Sequence, residues 1–214
     1  MTRSFQRFAA GSAVLAAVAS LVFTVAFARV VQDGDRWAEW VSWTTLLVGS
    51  LVSVPVMTAL YRRLEGTEPE FALVGFVLGV AASVGAAVHA AYELSLLANP
   101  PGTTSDFPNA IDPRGFMTFA LTGVALGLFG WLIVRGDGLP RSAGQLALAA
   151  AVLLLVVYVG RLTVLNPKTN VIRVAALMSG LVLVPGFYVQ VGRSLLREPV
   201  RSPATSVTAV GVAS

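Results

Sequence analysis

The chain has no cysteine, one histidine and one lysine, and charged residues fill only 12% of its 214 positions. Without cysteine there is no disulfide, no thiol nucleophile and no thiolate metal ligand. The single lysine, Lys168, falls between apolar runs, so no helix offers a lysine for a retinal Schiff base. The single histidine, His89, excludes a haem held by two histidines and leaves too few ligands for an intramembrane zinc site, which needs three or so converging groups. No His-Glu-x-x-His pair, no Gly-x-Ser-x-Gly-like helix start with a partnering histidine, and no nucleotide-binding glycine motif on a soluble unit is present. These absences lean against an enzyme and give no reason to expect a catalytic residue, a cofactor or a metal.

Hydrophobic residues make up 56% of the chain, and the charged share is about half that of a soluble domain. A water-soluble fold of this length cannot hide so much apolar surface. The net charge of +4 does not point to nucleic acid, because the basic residues are spread over short segments and form no stripe or block. Long charge-free stretches alternate with short polar ones, which is the layout a lipid bilayer imposes.

A transmembrane helix needs about 20 mostly apolar residues. Six windows qualify, at Phe8–Val31, Trp40–Leu60, Glu70–Ala98, Gly115–Val134, Ala143–Leu165 and Val171–Val191. The expected fold is therefore all-α, a polytopic bundle of six transmembrane helices over residues 1–198, followed by a disordered tail at 199–214. The breaks carry turn and capping signals. Gln32-Asp33-Gly34-Asp35 reads as a turn, Thr67-x-x-Glu70 has the spacing of a capping box, and Asp112-Pro113 pairs a capping carboxylate with a proline suited to a first helical turn. The first window has a competing reading as a signal peptide, since Arg3 and Arg7 precede an apolar run ending in the small-x-small sequence Ala26-Phe27-Ala28. That run is longer than the usual apolar region of such a peptide.

With the N-terminus inside, nine basic residues fall on the cytoplasmic side and six outside, the bias that orients helices in a plasma membrane with both termini cytoplasmic. Aromatic side chains prefer the headgroup level. Trp37, Trp40 and Trp43 are accordingly expected at the outer start of the second helix, and Tyr188 near the inner end of the sixth.

Helices in lipid associate through small residues that let backbones approach. Gly75, Gly79, Ser83, Ala87, Ala91 and Ser95 recur every four residues on the third helix. The fourth carries Gly115, Gly123 and Gly127, and the first carries Ser12, Ala16, Ser20, Thr24 and Ala28. The third helix is expected to meet the fourth, and also the first, along these stripes. Pro55 and Pro185 lie inside helices and are read as tolerated bends.

The remaining polar candidates are His89, Tyr92 and Glu93 on the third helix and Arg161 on the fifth, with Asp112 or Arg114 near the mouth of the cluster they would form. His89 and Glu93 are four apart and share a face, read as opposite the small-residue stripe, which would make the third helix central. The segment Tyr158-Val159-Gly160-Arg161-Leu162, followed by Asn166-Pro167 and a last helix ending Gly186-Phe187-Tyr188, resembles uncharacterised bacterial six-helix membrane proteins, a domain of unknown function. That resemblance implies a bacterial plasma membrane and supplies no activity. Partners are expected to be the bilayer itself and a small lipophilic ligand or a membrane protein. Two functions stand side by side: a membrane-embedded binding or regulatory protein for a lipid or small apolar molecule, and a small transporter with the polar cluster open to the outer side.

Overall fold

The computed structural model describes residues 1–98, 116–164 and 170–197, with side chains described except at 161–164. Its helices are α1 (Arg3–Asp33), α2 (Arg36–Leu64), α3 (Pro69–Ala98), α4 (Phe116–Arg135), α5 (Arg141–Val164) and α6 (Asn170–Arg197). All six are long and apolar enough to cross a membrane, with mean hydropathy of their most apolar windows from 1.6 to 2.3. Each expected window coincides with one helix to within a few residues, and α1 and α6 run past theirs because flanking polar residues continue the helix into the interface. The expected tail, together with Asp112, Arg114 and Gly115, lies outside the described residues.

Helix ends follow from local chemistry. Gly34 closes α1 at φ +66°, a left-handed position that suits glycine, and one residue later the Asp35 carboxylate accepts from the amides of Trp37 and Ala38 to start α2. Thr67 does not cap α3. That helix begins at Pro69, a residue suited to a first turn because it has no amide to satisfy, and the Ala72 amide already bonds the Glu68 carbonyl. Thr67 packs instead against Gly136 in the connection between α4 and α5.

Pro55 sits inside an unbroken α2. Pro185 is different: it is the second residue after a π-helical stretch, Ser179–Leu183, that splits α6 into Asn170–Met178 and Val184–Arg197. Proline removes a backbone bond and crowds the carbonyl one turn earlier, and the widened turn lies where that carbonyl sits. A second π-helical stretch, Phe116–Leu121, opens α4. Such insertions are rare and frequently mark functional positions.

The six helices form a ring in chain order, each packing on its sequence neighbours, with α1 closing the circle on α6. The principal partners of α1 are thus α2 and α6, not α3 as the stripes suggested. Nor is α3 central. Leu73, Val74, Val77, Val84 and Val88 are exposed along its outer face, as lipid-facing residues of a wall helix would be.

The two ends of the ring differ. Toward the chain termini the bundle is solid: Leu60 and Leu64 of α2, Phe129, Leu132 and Ile133 of α4, and Phe187, Val191 and Leu195 of α6 are fully buried. Ala9, Ala10 and Ala13 of α1 and Ala143 and Ala147 of α5 let the backbones close around them. The Gln6 side chain donates to the Leu195 carbonyl, and Ser142 meets Gln190 at 2.6 Å, so α6 is tied to both its neighbours at this end.

Glycine contacts give the helix pairing in detail. Gly75 and Gly79 face Phe129 and Met57, so α3 admits a large α4 side chain and an α2 side chain. Gly123 faces the Ala151 carbonyl and Leu155, and Gly127 faces Ala151, which turns the α4 stripe toward α5 and away from α3. The closest approach of one helix backbone to another at a glycine lies at two positions outside the expected packing stripes. A Cβ on Gly130 would stand 2.8 Å from the Gly144 carbonyl, and one on Gly144 would stand 2.8 Å from the Gly130 carbonyl.

Candidate functional site

The half of the bundle away from the termini encloses a cavity of about 340 Å³, within the range of small-molecule sites. All six helices line it. On α1 the lining runs from Ala16 to Gln32, and on α6 from Ile172 to Tyr188. At 1.5 Å per residue each stretch is about 24 Å long, so the space is tall and narrow. Its walls are mostly apolar, with scattered hydroxyls, among them Ser20, Thr24, Thr45 and Thr122, and two larger polar side chains, Gln32 and Arg173.

The floor is built from Met57, Leu126, Ser53, Ser83 and Tyr188. The Ser53 and Ser83 hydroxyls stand 2.6 Å apart, joining α2 to α3, and the Tyr188 side chain reaches Ser53 from α6. Ser53 also lies 2.7 Å from the Ser50 carbonyl, and Ser83 2.8 Å from the Gly79 carbonyl. Each hydroxyl has one proton to give. One serine therefore bonds back to its own helix while the other donates across, and Tyr188 can supply the remaining donor. Interhelical hydrogen bonds of this kind contribute about 0.6 kcal/mol on average in a membrane bundle. A Ser53→Ala, Ser83→Ala double-mutant cycle is expected to show a coupling of about 0.5–1.5 kcal/mol by thermal or denaturant unfolding in detergent. Strictly additive single changes would mean that the pair is not bonded.

Both π-helical stretches border the cavity. Thr118 and Phe119 enter its wall from the first, Ser179 and Gly180 from the second. At Gly180 α6 meets α1 most closely: Ser20 donates to the Gly180 carbonyl at 3.1 Å, and Thr24 fills the space a side chain would need. From there toward the far end α1 makes little contact with Asn170–Met178, although both border the cavity.

His89 and Glu93 lie together, with Nε2 and Oε1 3.6 Å apart and both side chains largely buried. At their own level they stand opposite the small-residue stripe, two residues being about 200° apart on a helix, but the stripe itself drifts. A four-residue step advances about 40° around a helix, so by the last turns the stripe has rotated outward and Ala91 and Ser95 are exposed. His89 and Glu93 have meanwhile come round to the direction of Gly75 and Gly79. His89 Nδ1 is 3.1 Å from the Thr118 hydroxyl, and its ring lies 5.2 Å from that of Trp43. Trp43 is buried, packed against Phe23 and Phe27 of α1, and among the described residues its indole N–H has no partner. This group stands behind the cavity wall: Thr118, Phe23 and Phe27 line the space, while His89, Glu93 and Trp43 do not. Tyr92 is half-buried on the same helix. The Arg161 backbone belongs to α5, but its side chain, like Asp112 and Arg114, lies outside the described residues.

Sequence reasoning took Ser83 only as a packing position and missed its bond to Ser53, as well as Thr118 and the place of Tyr188 in the cavity floor. It weighed charge inside the spans and passed over neutral hydroxyls, although a serine near the middle of each of two adjacent spans is a signal for bonding across helices. Tyr188, expected near the inner end of the sixth span, is buried, and α6 continues beyond it to Arg197.

No protein-family model, curated protein or solved structure matches the chain. The architecture places it among multi-pass membrane proteins, and no family is identified. Among the described residues no group of three or more histidine or acidic side chains is gathered as a metal site would require.

Proposed function

We propose that this protein is a membrane-embedded binding protein for a lipid or other small lipophilic molecule, held in the cavity shared by its six helices. The observation that carries the reading is the contrast between the bundle's two halves: one is closed by fully buried Phe129, Phe187 and their neighbours, the other holds a long apolar cavity. Helices whose only task is to pack have no need to hold such a space, because an unfilled apolar volume forfeits dispersion contacts along its lining. With both termini cytoplasmic, as the arginine bias favours, the cavity belongs to the outer half of a bacterial plasma membrane. A transporter would need a second opening through the half closed by these buried side chains. An enzymatic role finds no support in the lining, whose polar groups are hydroxyls and a few others without a base among them.

Ala86 is buried and lines the cavity, so Ala86→Phe would place a ring in the space. Protein purified from membranes and exchanged through mild detergent is expected to retain a lipophilic molecule detectable by native mass spectrometry. The Ala86→Phe variant should lose most of it while unfolding at a similar temperature. Equal retention by both proteins would overturn the reading.

A further inference from the structure

We propose that the ligand is an anionic single-chain amphiphile that reaches the cavity sideways from the bilayer, between α1 and the first segment of α6. This rests on the binding role proposed above and adds the ligand's chemistry and route.

The chemistry comes from where charge is placed. Among the described residues lining the cavity, Arg173 is the one charged side chain. It stands in the first turns of α6, exposed at the far end, and Gln32, near the far end of α1, lines the same cavity. Below these two groups the lining is apolar or hydroxylic down to the Ser53–Ser83 floor. A cation and an amide at one end of a slot about 24 Å long suit a molecule with a charged head and an extended tail. A guanidinium binds carboxylate or phosphate through paired N–H donors, and does so more strongly where water is partly excluded. An arginine placed only to reach the interface would sit as well on the lipid-facing side of α6; this one borders the cavity.

The route comes from the seam between α1 and α6. Below Gly180 the two helices are clasped by Ser20, Thr24 and Gly180, and beyond it the described residues of α1 and Asn170–Met178 stand apart. The gap begins where the π-helical stretch Ser179–Leu183, which carries the clasping Gly180, interrupts α6. Both sides of the gap carry apolar lining, Phe27 and Ala28 on one and Ala176 and Leu177 on the other. An acyl chain can slide between them without leaving hydrocarbon, while its head stays at the level of Arg173.

The test uses the full-length protein in nanodiscs with three tritiated probes: palmitate, hexadecanol and butyrate. Palmitate has both head and tail, hexadecanol lacks the charge, and butyrate lacks the chain. Wild type is expected to bind palmitate at least tenfold more tightly than hexadecanol and to bind butyrate undetectably. Arg173→Gln should bring palmitate down to the hexadecanol level and leave hexadecanol unchanged, while Arg173→Lys should restore part of the difference. Equal binding of palmitate and hexadecanol, indifferent to Arg173, would overturn the anionic assignment and leave the apolar binding role standing. Binding of butyrate alone would reveal a surface anion site and overturn the assignment as well. If neither long chain binds, the binding role itself falls.

Discussion

A Gly130→Leu variant is expected to be strongly destabilised, unfolding roughly 10 °C below wild type when intrinsic tryptophan fluorescence is followed during heating in detergent. The first atom added at this position would already be 2.8 Å from the Gly144 carbonyl and 2.9 Å from the Leu148 amide. Both are backbone atoms of α5, so no rotamer change can relieve the overlap. Overpacking in well-packed cores typically costs about 1–3 kcal/mol, and more where the surroundings cannot give. Here α4 and α5 have to separate along their length, and dispersion contacts are lost together. A cost slightly above 3 kcal/mol, at about 2–4 °C per kcal/mol for a chain of this size, gives the expected shift. Gly11→Leu serves as the control, since nothing lies within 4 Å of its would-be Cβ and its side faces outward. Indistinguishable unfolding of the two variants would mean that α4 and α5 do not meet at these glycines.

The second large effect is expected from locking the seam between α1 and α6. The chain has no cysteine, so the pair Ala28→Cys and Leu177→Cys gives a clean site for a cleavable thiol crosslinker. Bridging these positions should slow palmitate uptake from nanodiscs by at least tenfold, and cleaving the linker should restore it. The bound affinity measured after long equilibration should change little, because the bridge obstructs a route without altering the floor or the Arg173 mouth. An uptake rate unaffected by the bridge would rule out this seam as the path. Slow uptake that persists after cleavage would point to damage by the substitutions themselves.

Much of the architecture was legible in the sequence because a bilayer leaves little choice. Runs of about 20 apolar residues can only be spans, and the turn at Gln32-Asp33-Gly34-Asp35 reads correctly because it depends on a few neighbouring residues. What failed depended on azimuth over long distances. The stripe from Gly75 to Ser95 looks like one face when counted in fours, yet its drift of about 40° per step carries its last members to the outside. The same drift brings His89 and Glu93 inward. Gly130 and Gly144 escaped notice because each lies in a different helix and neither belongs to a long repeat. The cavity was illegible for a related reason: it is made by what six helices fail to fill, and no local pattern records an absence of packing. The π-helical stretches were equally hidden, although Pro185 marked the place of one.

Five of the six seams in the ring join helices that follow one another along the chain, so each can form as a hairpin while synthesis proceeds. The sixth joins the two ends of the protein, with Gln6 bonded to a residue 189 positions away. Until α6 is made, the chain is an open trough, and the faces of α1 that later bury Ala10 and Ala13 against Gly192 have only lipid to meet. A ribosome stalled before α6 would therefore leave an intermediate whose inner surface is available to other membrane helices. Quality control of this protein should be most sensitive to truncations near its C-terminal end, where a few missing turns keep the circle from closing.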